Sequence, residues 1–62
     1  MNNKIKVYRI KKNMSLEEMS KSCNLSIGYL CHLENGTRKN PSYKAMKSIA
    51  KALNKNICDI FK

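Results

Sequence analysis

Residues 15–36 constrain the fold more than any other part of this chain, because two helix starts and two helix stops are written into them. Ser15 and Glu18 have the S-x-x-E spacing of a capping box, in which each side chain satisfies a backbone N–H of the other at a helix start. Apolar Met19, Cys23, Leu25, Leu30 and Leu33 then recur at spacings that fit two amphipathic helices whose inner faces meet. Asn24 falls at the turn between them, where left-handed backbone angles suit Asn better than any residue but Gly. Ser26 follows as the N-cap of the second helix. Small Ser20 stands where the two helices approach most closely. The pattern predicts two short helices packed across a tight turn.

Helical spacing continues on both sides, and five helices account for the chain as one all-α domain over 1–62. The first is expected over 3–12, with Ile5 and Tyr8 inward, Lys4, Lys11 and Lys12 outward, and Val7 or Ile10 flanking the seam. Asn13 is its expected C-cap, and Met14 folds back onto the core. The third helix stops near Asn35 and Gly36. Pro41 suits the first turn of the fourth, with Asn40 or Ser42 as its cap. That helix puts Tyr43, Met46, Ile49, Ala50 and Leu53 on one face and Lys44, Lys47 and Lys51 on the other. A last short helix near 57–61 carries Ile57, Ile60 and Phe61, which either close the core or offer an apolar patch to a second copy. Period-two alternation is confined to 4–8, so no strand competes.

Thirteen Lys and Arg against four acids give a net charge of +9, which points to a polyanionic partner. A membrane surface fits less well, since no helix keeps a large apolar face once the core is built, and no run reaches the length of a span. A chain of 62 residues buries only about 60% of its unfolded surface, so its core is small. Cys23, Cys31 and Cys58 lack the spacing of a disulfide framework or a zinc site. Cys23 and Cys58 are expected as small core residues; Cys31 is expected nearer the surface, as an inert or a redox-sensitive thiol. One histidine, four acids and two glycines supply neither a nucleophile–base pair nor a phosphate-cradling loop. No enzymatic activity, cofactor, metal or small-molecule ligand is expected. Glu17 and Glu18 belong to a helix N-terminus, where acids are favourable.

The chain resembles the lambda-repressor/Cro-like helix-turn-helix domains. The resemblance rests on Met14-Ser15-x-Glu17-Glu18-Met19-Ser20, on Leu25-Ser26, and on Leu33-Glu34-Asn35-Gly36-x-Arg38-x-Asn40-Pro41-Ser42. It continues through Ile49-Ala50-Lys51-Ala52-Leu53 and covers about 5–61, with the Glu-Asn-Gly turn followed by Asn-Pro-Ser its most specific part. It implies a five-helix domain with the helix-turn-helix at about 15–35 and the third helix in the major groove of double-stranded DNA. The implied function is sequence-specific transcriptional regulation, as a repressor acting by operator occupancy. The absence of a span or signal core adds a cytoplasmic location, and Ile57, Ile60 or Phe61 would make a weak homodimer unless they seal the monomer core.

Carried over position by position, the resemblance implies base contacts from Ser26, Ile27, Gly28 and His32, with Cys31 beside them. Related domains often have Gln where this chain has Ile27 and Gly28. Ile27 either touches a thymine methyl or packs, and Gly28 either admits the helix close to the groove or is a spacer. His32 reaches a base edge when neutral or a phosphate when protonated, or else is a plain surface histidine. Implied phosphate contacts are Ser15, Asn35, Arg38, Lys39, Tyr43 and Lys44. Leu16 stands where related domains use a phosphate-binding Gln. Arg9 and Glu34 match a structural ion pair that ties the first helix to the end of the third. The rival reading is a protein-interaction or antirepressor module on the same fold. RNA or non-specific nucleic-acid binding is a third.

Overall fold

The computed structural model describes residues 3–37 and 41–61. The expected calls on Arg38, Lys39 and Asn40 therefore lie outside the described residues. Five helices follow in order: α1 (Ile5–Lys11), α2 (Leu16–Cys23), α3 (Ile27–Glu34), α4 (Tyr43–Leu53) and α5 (Ile57–Ile60). There is no strand among the described residues, only one antiparallel bridge between Asn3 and Phe61.

Capping chemistry sets most boundaries. The Ser15 hydroxyl accepts from the Glu18 N–H at 3.0 Å, and the Glu18 carboxylate accepts from the Ser15 N–H at 2.9 Å. Ser26 accepts from the Tyr29 N–H and Ser42 from the Ala45 N–H, both at 3.1 Å. Each such cap stabilises its helix by about 1 kcal/mol. At the other ends, α1, α2 and α4 each stop on an asparagine in left-handed geometry, Asn13 (φ 57°), Asn24 (φ 60°) and Asn54 (φ 57°). After α1 the Met14 N–H bonds the Arg9 carbonyl and the Asn13 N–H bonds the Ile10 carbonyl, the paired bonds of a Schellman stop. Gly36 (φ 77°) ends the third turn in the same region of backbone space, where a side chain costs energy.

The core holds Ile5, Met19, Cys23, Leu30, Leu33, Ile49, Ala50, Leu53 and Ile60, with Tyr8, Met14, Leu16 and Leu25 packed against it. Helix α2 lies between α3 and α4, while α1 touches both α3 and α4. Ser20 sits at the α2–α3 approach, its hydroxyl donating to the Leu25 carbonyl.

Several expectations are corrected. Helix α1 starts at Ile5, since Asn3 bridges to Phe61 and the Lys4 N–H bonds the Ile60 carbonyl at 3.0 Å. Its C-cap is Lys12, with Asn13 one residue beyond. Val7 and Ile10 do not flank the seam; they are 48% and 54% exposed. Pro41 is buried ahead of α4, whose cap is Ser42. Tyr43 is not a core residue: the inner stripe is Ala45, Ile49, Ala50 and Leu53, and Tyr43 falls at its edge, 65% exposed. Cys58 is exposed, because Ile57, Ile60 and Phe61 take the inner face of the short α5. Ile60 is fully buried in the monomer and is thus withdrawn from any contact with a second copy.

Candidate nucleic-acid interface

Helix α3 presents one face inward and leaves the other bare. Leu30 and Leu33 are fully buried, which fixes the rotation of the helix about its axis. Ile27, Gly28 and His32 consequently face solvent, with Cys31 partly covered between them. Ile27 is 45% exposed. A Cβ added at Gly28 would meet nothing within 4 Å. The expected reading residues thus share one accessible surface.

Electrostatics favour an anion at the same end. The first turn of α3 carries no acid, and neither does that of α4, where Tyr43 and Lys44 are exposed. Uncompensated helix N-termini aim free N–H groups and a positive dipole end at whatever approaches. Helix α2 differs, because Glu17 and Glu18 occupy its first turn. Ser15 is committed on both its N–H and its hydroxyl acceptor, so only its hydroxyl proton remains to be donated. Asn35 is exposed at the end of α3, its side-chain amide 3.5 Å from the Cys31 sulfur.

The orientation of α3 is held from α1. The Arg9 Nε donates to Glu34 Oε2 at 2.7 Å and a second guanidinium nitrogen reaches Oε1 at 3.2 Å. The remaining guanidinium nitrogen donates to the Met14 carbonyl at 2.8 Å. Both side chains are largely withdrawn from water, 12% and 5% exposed, so the fork is a shielded bidentate pair. One further tie was not anticipated from the sequence. The Asn3 amide donates to the Leu33 carbonyl at 2.8 Å while its oxygen accepts from the Ile5 N–H. Nothing in the pattern marks Asn3, since its partner lies 30 residues away.

Among the described residues no three His, Cys, Asp or Glu side chains gather into a metal-binding group, and no helix is long and apolar enough to cross a membrane. Burial pushes the Cys23 thiol above its ordinary range, against weaker opposing backbone hydrogen bonds.

Comparison with known proteins follows the same lines. A helix-turn-helix family model matches residues 5–60. An uncharacterized helix-turn-helix-type transcriptional regulator of Archaeoglobus fulgidus is 39% identical over 61 residues, covering 98% of this chain and 84% of the relative. The N-terminal DNA-binding domain of SinR from Bacillus subtilis superposes with a TM-score of 0.84 at 27% identity, covering 89% of this chain and 80% of that one.

Proposed function

The chain belongs to the helix-turn-helix family of the lambda-repressor/Cro-like type, and on that premise we propose that it binds an operator in double-stranded DNA and represses transcription by occupying it. The family is one of DNA-binding transcriptional regulators rather than of enzymes. Helix α3 enters the major groove, with base contacts from Ser26, Ile27, Gly28, Cys31 and His32. Ser15, Asn35, Tyr43 and Lys44 hold flanking phosphates, as do Arg38 and Lys39 in the segment before α4. Arg9 and Glu34 keep α3 at a fixed angle to the rest of the domain.

The observation that carries this reading is α3 itself, apolar and buried on one side, bare on the other, with no acid at its N-terminus. The net charge of +9 supports it. Two copies occupy half-sites about one turn apart, about 34–36 Å, and the DNA brings them together. With Ile60 buried, Ile57 and Phe61, both half-buried, are what the end of the chain retains for direct contact. Such a regulator works in the cytoplasm, where the DNA is.

Exposed Ile27 also favours a second reading, in which α3 docks on a protein and the chain is an antirepressor. Selection of random duplex DNA by the purified protein at physiological salt separates the two. A short enriched motif, arranged as an inverted repeat, is the expected result. Retention without enrichment would leave only charge-driven binding, and no retention would favour the protein partner.

A further inference from the structure

We propose that the leading turn of α3 reads pyrimidine 5-methyl groups, so that the chain prefers thymine or 5-methylcytosine over uracil or unmodified cytosine at that position. The inference rests on the DNA-binding reading above.

Past its cap, the exposed side of the first turn of α3 offers one side chain, and that side chain is apolar. Ser26 accepts from the Tyr29 N–H at 3.1 Å and keeps only its hydroxyl proton to donate. Ile27, the first helical residue, is 45% exposed and has no polar atom in its side chain. Gly28 has no side chain, and the space where a Cβ would stand is open. One turn further on the same side, the Cys31 sulfur is engaged by the Asn35 amide. Behind the Ser26 cap, the two exposed positions of the first turn, Ile27 and Gly28, are therefore one branched apolar group beside bare backbone.

The major groove offers such a group a single matching feature. Purines and cytosine present donors and acceptors there, and only thymine adds a methyl at C5. Over a methyl, Ile27 removes apolar surface from water on both partners. Over a polar edge it strips water from a donor or acceptor and returns no hydrogen bond. Attraction and penalty thus select the same feature. Cytosine methylated at C5 carries that methyl on the same ring carbon with a different pairing edge. Ile27 responds to the methyl, whichever base bears it.

Anisotropy titrations on the duplex obtained by selection test this. Each thymine is replaced singly by uracil, and the same pair is also exchanged for cytosine and for 5-methylcytosine opposite guanine. At the Ile27 position, loss of the methyl is expected to weaken binding about fourfold, the equivalent of ~0.8 kcal/mol for one buried carbon group. The 5-methylcytosine duplex is expected to bind about fourfold more tightly than its cytosine counterpart. Ile27→Ala should bring both ratios close to one, with Ile27→Val in between. Equal affinity for thymine and uracil at every position overturns the inference while leaving operator binding intact. So does methyl discrimination that persists in Ile27→Ala. Absence of any enriched site removes operator binding and this inference together.

Discussion

Arg9 ties α1 both to the end of α3 and to the segment before α2. Its guanidinium spans the carboxylate at the end of α3 and the carbonyl of Met14 before α2. Removing one member of a shielded pair strands the other, at a cost of about 3–5 kcal/mol. Urea denaturation of Glu34→Ala and Arg9→Ala should each show that loss, with Arg9→Met/Glu34→Leu recovering much of it. A loss under about 1 kcal/mol for the single variants would place the pair among ordinary surface pairs. Cys23 gives a pH signature. Burial raises its thiol above its ordinary 9.0, so the folded state holds that proton more tightly than the unfolded chain. Its contribution to stability is complete below about pH 9 and is lost as pH rises through the folded value. Thermal unfolding of wild type minus Cys23→Ala should show this decline on the alkaline side, and a flat difference would contradict it. The Arg9–Glu34 pairing could be anticipated only through resemblance, because nothing in a 25-residue separation announces contact.

Among the elements, α2 and α3 were the most legible, since their starts and their shared turn depend on neighbours within four residues. Ser15 with Glu18, Asn24, and Ser26 act locally, and local chemistry is visible in order along the chain. Helix α1 was less so. Its start is decided by Lys4 pairing with Ile60 and Asn3 with Phe61, contacts from the far end of the molecule. Helix α5 misled on Cys58 because four residues are too few for periodicity to assign a face. Helix α3 carries a local cost at Gly28, a glycine in helical geometry with open space where a side chain would go. Gly28→Ala should therefore stabilise the fold by about 0.5–1 kcal/mol, read as a higher urea midpoint. A lower midpoint would mean that backbone freedom there is needed by the folded state.

At the scale of the molecule, charge and size set how it meets DNA. Three of the proposed phosphate contacts are cationic, Arg38, Lys39 and Lys44. Each released counterion contributes about 0.9 to the slope of log affinity against log salt, so these three account for about −2.7 per copy. Lys44→Ala should weaken binding to all sequences alike and make the slope shallower by about 0.9, whereas an unchanged slope would remove Lys44 from the interface. The longest axis of the domain is 24 Å, shorter than the roughly 34–36 Å between half-sites. If two copies occupy such half-sites, as proposed, the span between them exceeds the domain's own length, and the duplex is their main tether.

The sequence by itself determined the five helices, the caps that start α2 and α3, the asparagine turn between them, and most of the apolar core. Each of these depends on residues within a turn or two of one another. Only the tertiary structure decided which apolar residues stay outside: Ile27, Val7 and Ile10 are as hydrophobic as their buried neighbours, and Tyr43 offers a large ring at a helical spacing from Ala50. A period marks a face, but the width of the stripe that is covered depends on which helices lie against it. The same limit applies to Ile60, which the close of the core claims, and to Asn3, which reaches Leu33 only after the ends of the chain have met.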